Sequence, residues 1–159
     1  MKVAAISDIH GDSANLARAI KSINADEEIG VVVNCGDIGG YKIIDQLAGL
    51  ARQQHIVFSR PDLSSIGLVE ACDRAEIDYF YDFGQIEVGG KTIAFSHEKL
   101  NSRQYRGFDV MFYGHLHTYK VEVVDGSLVV CCGEIMERTM PACYALYDTE
   151  TGEVEKVDC

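Results

Sequence analysis

Four short apolar runs, each stopping at a carboxylate or an imidazole, restrict the folds open to this chain. Val3-Ala4-Ala5-Ile6 leads into Ser7-Asp8-Ile9-His10, and Val31-Val32-Val33 into Cys35-Gly36-Asp37. Thr92-Ile93-Ala94-Phe95 leads into Ser96-His97, and Val110-Met111-Phe112-Tyr113 into Gly114-His115-Leu116-His117. Each run has the length and apolar content of a buried strand. Strands whose ends carry metal-type ligands and converge on one sheet edge make a metal site the leading expectation. Four of the five histidines fall in these stretches, and only His55 lies outside.

The runs alternate with helical patterns. Lys2–Ile6 reads as a strand. Asp12 or Ser13 can cap a helix to about Asn24, with Leu16, Ile20 and Ile23 on its inner stripe. Val31–Asn34 is the second strand, Tyr41 to about Arg52 the second helix and His55–Phe58 the third strand. This β-α-β-α-β order predicts a parallel sheet with right-handed crossovers. A helix over Leu63–Ala75 follows, then strands over Asp78–Phe83, Gln85–Val88, Lys91–Phe95, Asp109–Tyr113, Tyr119–Val124, Leu128–Cys132, Cys143–Asp148 and Val154–Val157. Gly89-Gly90, Asp125-Gly126 and Thr151-Gly152 mark hairpins, which predicts a mostly antiparallel second half. With no repeat or linker, residues 1–159 are expected to form one domain, a two-sheet sandwich with helices outside.

The sequence contains no run approaching the roughly 20 apolar residues of a membrane span, and the N-terminus lacks a signal-peptide pattern, so a cytoplasmic location is expected. A net charge of −11 opposes binding to polymeric nucleic acid or anionic membranes. It leaves room for a small phosphate ester, because a bound divalent cation reverses the local field. None of the six cysteines forms a C-x-x-C pair, which argues against a zinc ribbon or thioredoxin-like site. They are expected to be reduced, buried thiols, with Cys131 and Cys132 on opposite faces of one strand. Cys35, two residues before Asp37, is the one nearest the chemistry.

Asp8 and His10 are two residues apart, as are His115 and His117; on a regular strand that spacing shares one face. Gly36 and Gly114 allow close backbone approach beside the ligands. Carboxylate can bridge two cations, and neutral imidazole suits Mn²⁺, Fe²⁺, Zn²⁺ or Ni²⁺. Each piece alone has a plainer reading: D-x-H is common, G-H-x-H can be a turn-capping pair, and Asp37 can cap a helix. The ordered set is what points to metal.

Taken together, Asp8-x-His10, Gly36-Asp37, Ser96-His97 and Gly114-His115-x-His117 resemble the signature of calcineurin-like metallophosphoesterases. The small, single-domain bacterial and archaeal phosphodiesterase branch is the nearest match, over nearly the whole chain. Cys132-Gly133-Glu134 stands where that branch often has N-P-G-[SE], and Tyr144–Asp148 looks like its closing strand. The resemblance implies a four-layer α/β/β/α sandwich of two mixed sheets flanked by helices. It implies two divalent ions, Mn²⁺ favoured and Fe, Zn or Ni compatible, with a metal-bridged hydroxide attacking a phosphodiester. By the same resemblance the first metal takes Asp8, His10, Asp37 and His117, and the second shares Asp37 and takes His97 and His115.

The family completes its second site with an Asn from G-N-x-[DE]. Here that stretch is Ser59-Arg60-Pro61-Asp62, so Arg60 stands in the Asn position. A guanidinium has no acceptor atom to offer a cation. His97 is followed by Glu98 where the family usually has Gly. Three outcomes are open: Arg60 turns outward with water or Glu98 as ligand; Arg60 fills the second-metal space and binds phosphate in a one-metal esterase; or the site is weak and the domain is a binding module. The last would resemble the scaffold subunit of an endosomal sorting complex. Asp37, His97, Arg60 and Asp62 are the candidate catalytic residues, with Asp62 and Glu98 candidate acids for the leaving group. Lys99, Arg103, Gln104, Tyr105 and Arg106 could hold substrate beside the metals or form an ordinary solvated surface. The expected partner is a small phosphoester, with no membrane and no polymeric nucleic acid; a homodimer is implied by resemblance alone.

Overall fold

The computed structural model describes residues 1–101 and 107–159; Arg103, Gln104, Tyr105 and Arg106 lie outside them. The elements are β1 (Lys2–Ile6), α1 (Ser13–Ala25), β2 (Ile29–Asn34), α2 (Tyr41–Leu47), β3 (Gln53–Val57), α3 (Arg60–Leu63), α4 (Leu68–Ala75), β4 (Asp78–Phe80), β5 (Phe83–Val88), β6 (Lys91–Ser96), β7 (Val110–Tyr113), β8 (Tyr119–Val124), β9 (Ser127–Cys132), β10 (Cys143–Asp148) and β11 (Val154–Asp158). They form two mixed sheets flanked by helices, in the orders β11-β10-β1-β2-β3-β4 and β5-β6-β7-β9-β8.

In the first sheet β1 to β4 run parallel, and β10 and β11 close one side antiparallel. The period-2 alternation of β1 explains its continuous apolar run. Ala4 and Ile6 pack outward against Leu16, Ala19, Ile23, Ile44 and Leu47 of the helices. Val3 and Ala5 pack inward with Val31, Val33, Phe95, Val110 and Phe112 between the two sheets. The outer face of the second sheet carries Ala94, Met111, Tyr113, Val129 and Cys131, with Leu100 and Phe108 against them. Cys131 and Cys132 do face opposite sides. Among the described residues no helix is long and apolar enough to cross a membrane.

Most strand pairs of the second half are antiparallel, as expected (β5–β6, β8–β9, β10–β11 and β1–β10), while β6, β7 and β9 at the centre of the second sheet run parallel. Three expectations need correction. The run Asp78–Phe83 is not one strand, because β4 pairs with β3 in the first sheet and β5 with β6 in the second. The second helix stops at Leu47, where Ala48, Gly49 and Leu50 turn back on its last carbonyls. The helix expected over Leu63–Ala75 breaks at Gly67, whose φ of +80° is left-handed, giving α3 and α4. The three hairpin signals sit where expected, between β5 and β6, β8 and β9, and β10 and β11.

Candidate metal centre

The ends of β1, β2, β6 and β7 deliver the site to one edge of the sandwich. The candidate ligands do not lie on regular strand. Asp8, His10, Asp37, His115 and His117 all have positive φ, between +47° and +68°. The shared i, i+2 face expected for each pair is therefore replaced by left-handed loop backbone just past the strand. Such a conformation costs a non-glycine residue on the order of 1–3 kcal/mol and persists only where surrounding contacts enforce it. Here they do: Asp8 N–H donates to Gly36 O (3.1 Å), His10 N–H to Asp37 O (2.8 Å), and His115 N–H to Asp8 Oδ2 (3.0 Å).

Two groups of donor atoms come together: Asp8, His10 and His117, and Asp8, Asp37 and His97. Asp37 Oδ2 lies 3.3 Å from His10 Nε2 and 3.5 Å from His97 Nε2, so one oxygen stands between two imidazoles. Asp8 Oδ1 lies 3.4 Å from His117 Nε2 and 3.8 Å from His10 Nε2. The His10 and His117 rings stack at 5.2 Å. Two imidazoles have their tautomer set by an acceptor. His97 Nδ1 donates to Cys35 O (2.8 Å) and His117 Nδ1 to Glu134 Oε2 (2.5 Å), which leaves each Nε2 lone pair free.

Asp8 is fully buried, and burial pushes its carboxyl up despite nearby His97 and His117. Its Oδ1 and Asp37 Oδ1 are buried without a hydrogen-bond partner. Orphaned buried carboxylate oxygens are costly alone, and with Asp8 Oδ1 facing His10 and His117 they are what a divalent cation would satisfy. The donor set thus fits the expected metals.

His115 and Glu98 are not gathered into either group. His115 is exposed, its ring edge-on to His97 at 5.1 Å. Glu98 is exposed on the wall of a cavity of about 400 Å³, shared with His97, Phe58, Ser59, Arg60 and Lys99. Arg60, the first residue of α3, is also exposed. Lys99 is engaged by Glu122 at 2.6 Å.

Asp62 is not placed as a free acid. Its Oδ2 accepts from Ser59 N–H (3.0 Å) and Ser59 Oγ (2.8 Å), and its Oδ1 from Ile38 N–H (2.9 Å). It caps α3 and ties that loop to the one bearing Asp37, whose own N–H donates to Ser59 Oγ (3.2 Å). Burial raises the thiols, Cys72 to about 12 and Cys131 to about 11, so neither is poised as a thiolate.

Sequence reasoning passed over Glu134 as a functional side chain. It is wholly buried; burial alone would raise its pKa, but hydrogen bonds from Thr139, His117 and Met140 outweigh that and hold it low. Its signal was the same as the others: a carboxylate just past an apolar strand, here Leu128–Cys132.

A sandwich with this ligand set at its edge defines a phosphoester-hydrolase architecture. The calcineurin-like phosphoesterase superfamily domain matches residues 1–152, and the chain belongs to that family of metal-dependent hydrolases. No curated protein matches it significantly in sequence. Among solved structures it is similar to an archaeal phosphodiesterase, at 25% identity and TM-score 0.88 over 100% of both chains. The Escherichia coli phosphoesterase YfcE shares the fold at 18% identity, TM-score 0.70 and 99% of both chains. So does zinc-complexed Vps29 from Entamoeba histolytica, at 20% identity, TM-score 0.65 and 99% of both chains.

Proposed function

We propose that this chain is a phosphodiesterase that holds two divalent ions and cleaves a small soluble phosphodiester. The observation that carries this reading is the buried, unpartnered Asp8 Oδ1 facing His117 and His10, beside Asp37, whose Oδ2 stands between His10 and His97. The similarity to the archaeal phosphodiesterase supports a diester. Oxygen and imidazole donors without thiolate suit Mn²⁺ and also Fe²⁺, Zn²⁺ or Ni²⁺. When bound, such ions lower the pKa of water and polarise a phosphoryl oxygen.

The chain's own residues supply the rest. Asp37 stands between the two halves of the centre, and the loop of Ser59 and Asp62 braces it. Arg60, on the cavity wall beside His97, is suited to take a non-bridging phosphoryl oxygen by a charge-assisted bond. Its exposure supports an outward position, away from the ligand oxygens. Six free thiols support work in a reducing compartment such as the cytoplasm. The net charge of −11 favours a small ester over a polyanion.

The test is hydrolysis of bis(p-nitrophenyl) phosphate by chelator-stripped protein titrated with Mn²⁺, with Asp37→Asn as control. Metal-dependent hydrolysis lost in the control supports the reading. Absence of hydrolysis with Mn²⁺, Fe²⁺, Zn²⁺ and Ni²⁺ contradicts it.

A further inference from the structure

The segment from Gly133 to Met140 is a strap across the metal centre. Ile135 N–H donates to Ser7 O and Met136 N–H to Asp8 O, both at 3.1 Å, so the strap holds the backbone of one ligand loop. Glu137 Oε2 takes Arg18 (3.1 Å) and Asn15 (3.4 Å) of α1, anchoring the strap's outer side. Just before these anchors comes Glu134. Its Oε1 accepts from Met140 N–H (3.0 Å) and from the N–H of Thr139. The Thr139 hydroxyl sits between that same oxygen (3.0 Å) and the His117 carbonyl, with one proton to give to either. Only Oε2 remains, and it lies 2.5 Å from His117 Nδ1.

We propose that Glu134 is a positioning residue that sets the metal affinity of the centre through His117. The inference rests on the metal-dependent reading above. A neutral imidazole carries one N–H, and a carboxylate acceptor places that proton on Nδ1. Nε2 is then the donor, aimed at the Asp8 side of the centre, 3.4 Å from Asp8 Oδ1. The negative charge behind the ring also makes Nε2 a stronger base, and outer partners of this kind are worth about 10–100-fold in metal affinity. With Oε1 fixed by Thr139 and Met140, the carboxylate cannot turn away without breaking the strap.

The experiment measures Mn²⁺ affinity of chelator-stripped wild type and Glu134→Gln by equilibrium dialysis, alongside thermal melts of both metal-free forms. Glutamine keeps an acceptor for Thr139 and Met140 and removes the charge. The expected result is a dissociation constant about 10–100-fold higher with a nearly unchanged metal-free melt. Unchanged affinity in folded Glu134→Gln overturns the inference and leaves the phosphodiesterase reading standing. A wild type that binds no divalent ion overturns both. Should the variant not fold, long-range ¹H–¹⁵N spectra of metal-free wild type decide: His117 protonated on Nδ1 supports the inference, and on Nε2 alone overturns it.

Discussion

A Cβ atom on Gly114 would lie 1.8 Å from the Ser7 hydroxyl, and 2.6 Å from Asp8 Oδ2 behind it. The end of β7 and the first ligand loop therefore pass each other with no room for a side chain. Gly114→Ala is expected to cost about 1–3 kcal/mol from overpacking, a fall of roughly 2–10 °C in melting temperature for a chain of this size. Because Asp8 must shift as well, Mn²⁺ affinity should fall beyond what the melt explains. Paired calorimetric melts and metal titrations check this.

Asp37→Asn separates stability from function. Asp8 and Asp37 belong to one donor group, so their charges repel when no cation is present. The chelator-stripped variant should melt no lower than wild type. With Mn²⁺ at about 100 times its dissociation constant, wild type should gain roughly 2.7 kcal/mol, or about 5–10 °C, and the variant almost nothing. Differential scanning fluorimetry with and without Mn²⁺ reads both arms.

Arg60→Ala tests the residue that departs from the family pattern. Removing an exposed cation should leave Mn²⁺ affinity unchanged or higher. Loss of a charge-assisted bond to the phosphoryl group should lower kcat/KM by roughly 10–100-fold. Steady-state kinetics at saturating Mn²⁺ that show unchanged or faster turnover would mean Arg60 does not touch substrate.

His55 gives a pH dependence independent of the metal. It is buried near Phe80 and Phe95, and burial depresses its pKa below 6.5, with Asp78 only partly opposing. The unfolded chain then binds the proton more readily than the folded one. Stability should hold above pH 6.5 and decline as pH falls below it, until the folded-state pKa is passed. Melts in chelator between pH 7.5 and 5.5 should show that decline, and His55→Leu should reduce it.

Much of the site was legible because one rule repeats. Asp8, Asp37, His97 and His117 each end or follow an apolar strand, and the parallel order of β1 and β2, then β6 and β7, brings those ends to one edge. How the candidate ligands are turned was not legible, since the left-handed φ at Asp8, His10, Asp37 and His117, and at exposed His115, goes with contacts between loops distant in sequence. Asp62 misled for a related reason: an acid three residues after Ser59 fits a capping box as well as an acid catalyst, and the structure has the cap. The split at Tyr81–Asp82 was hidden because only strand pairing assigns β4 and β5 to different sheets.

The most direct measurement follows phosphodiester hydrolysis and Mn²⁺ occupancy in the same samples as metal is returned to stripped protein. We expect up to two ions per chain, with turnover rising as the centre fills and neither binding nor turnover surviving Asp37→Asn. A folded wild type that takes up no ion at millimolar Mn²⁺, or hydrolyses equally well with Asp37 replaced, would contradict a metal centre built on these strand ends.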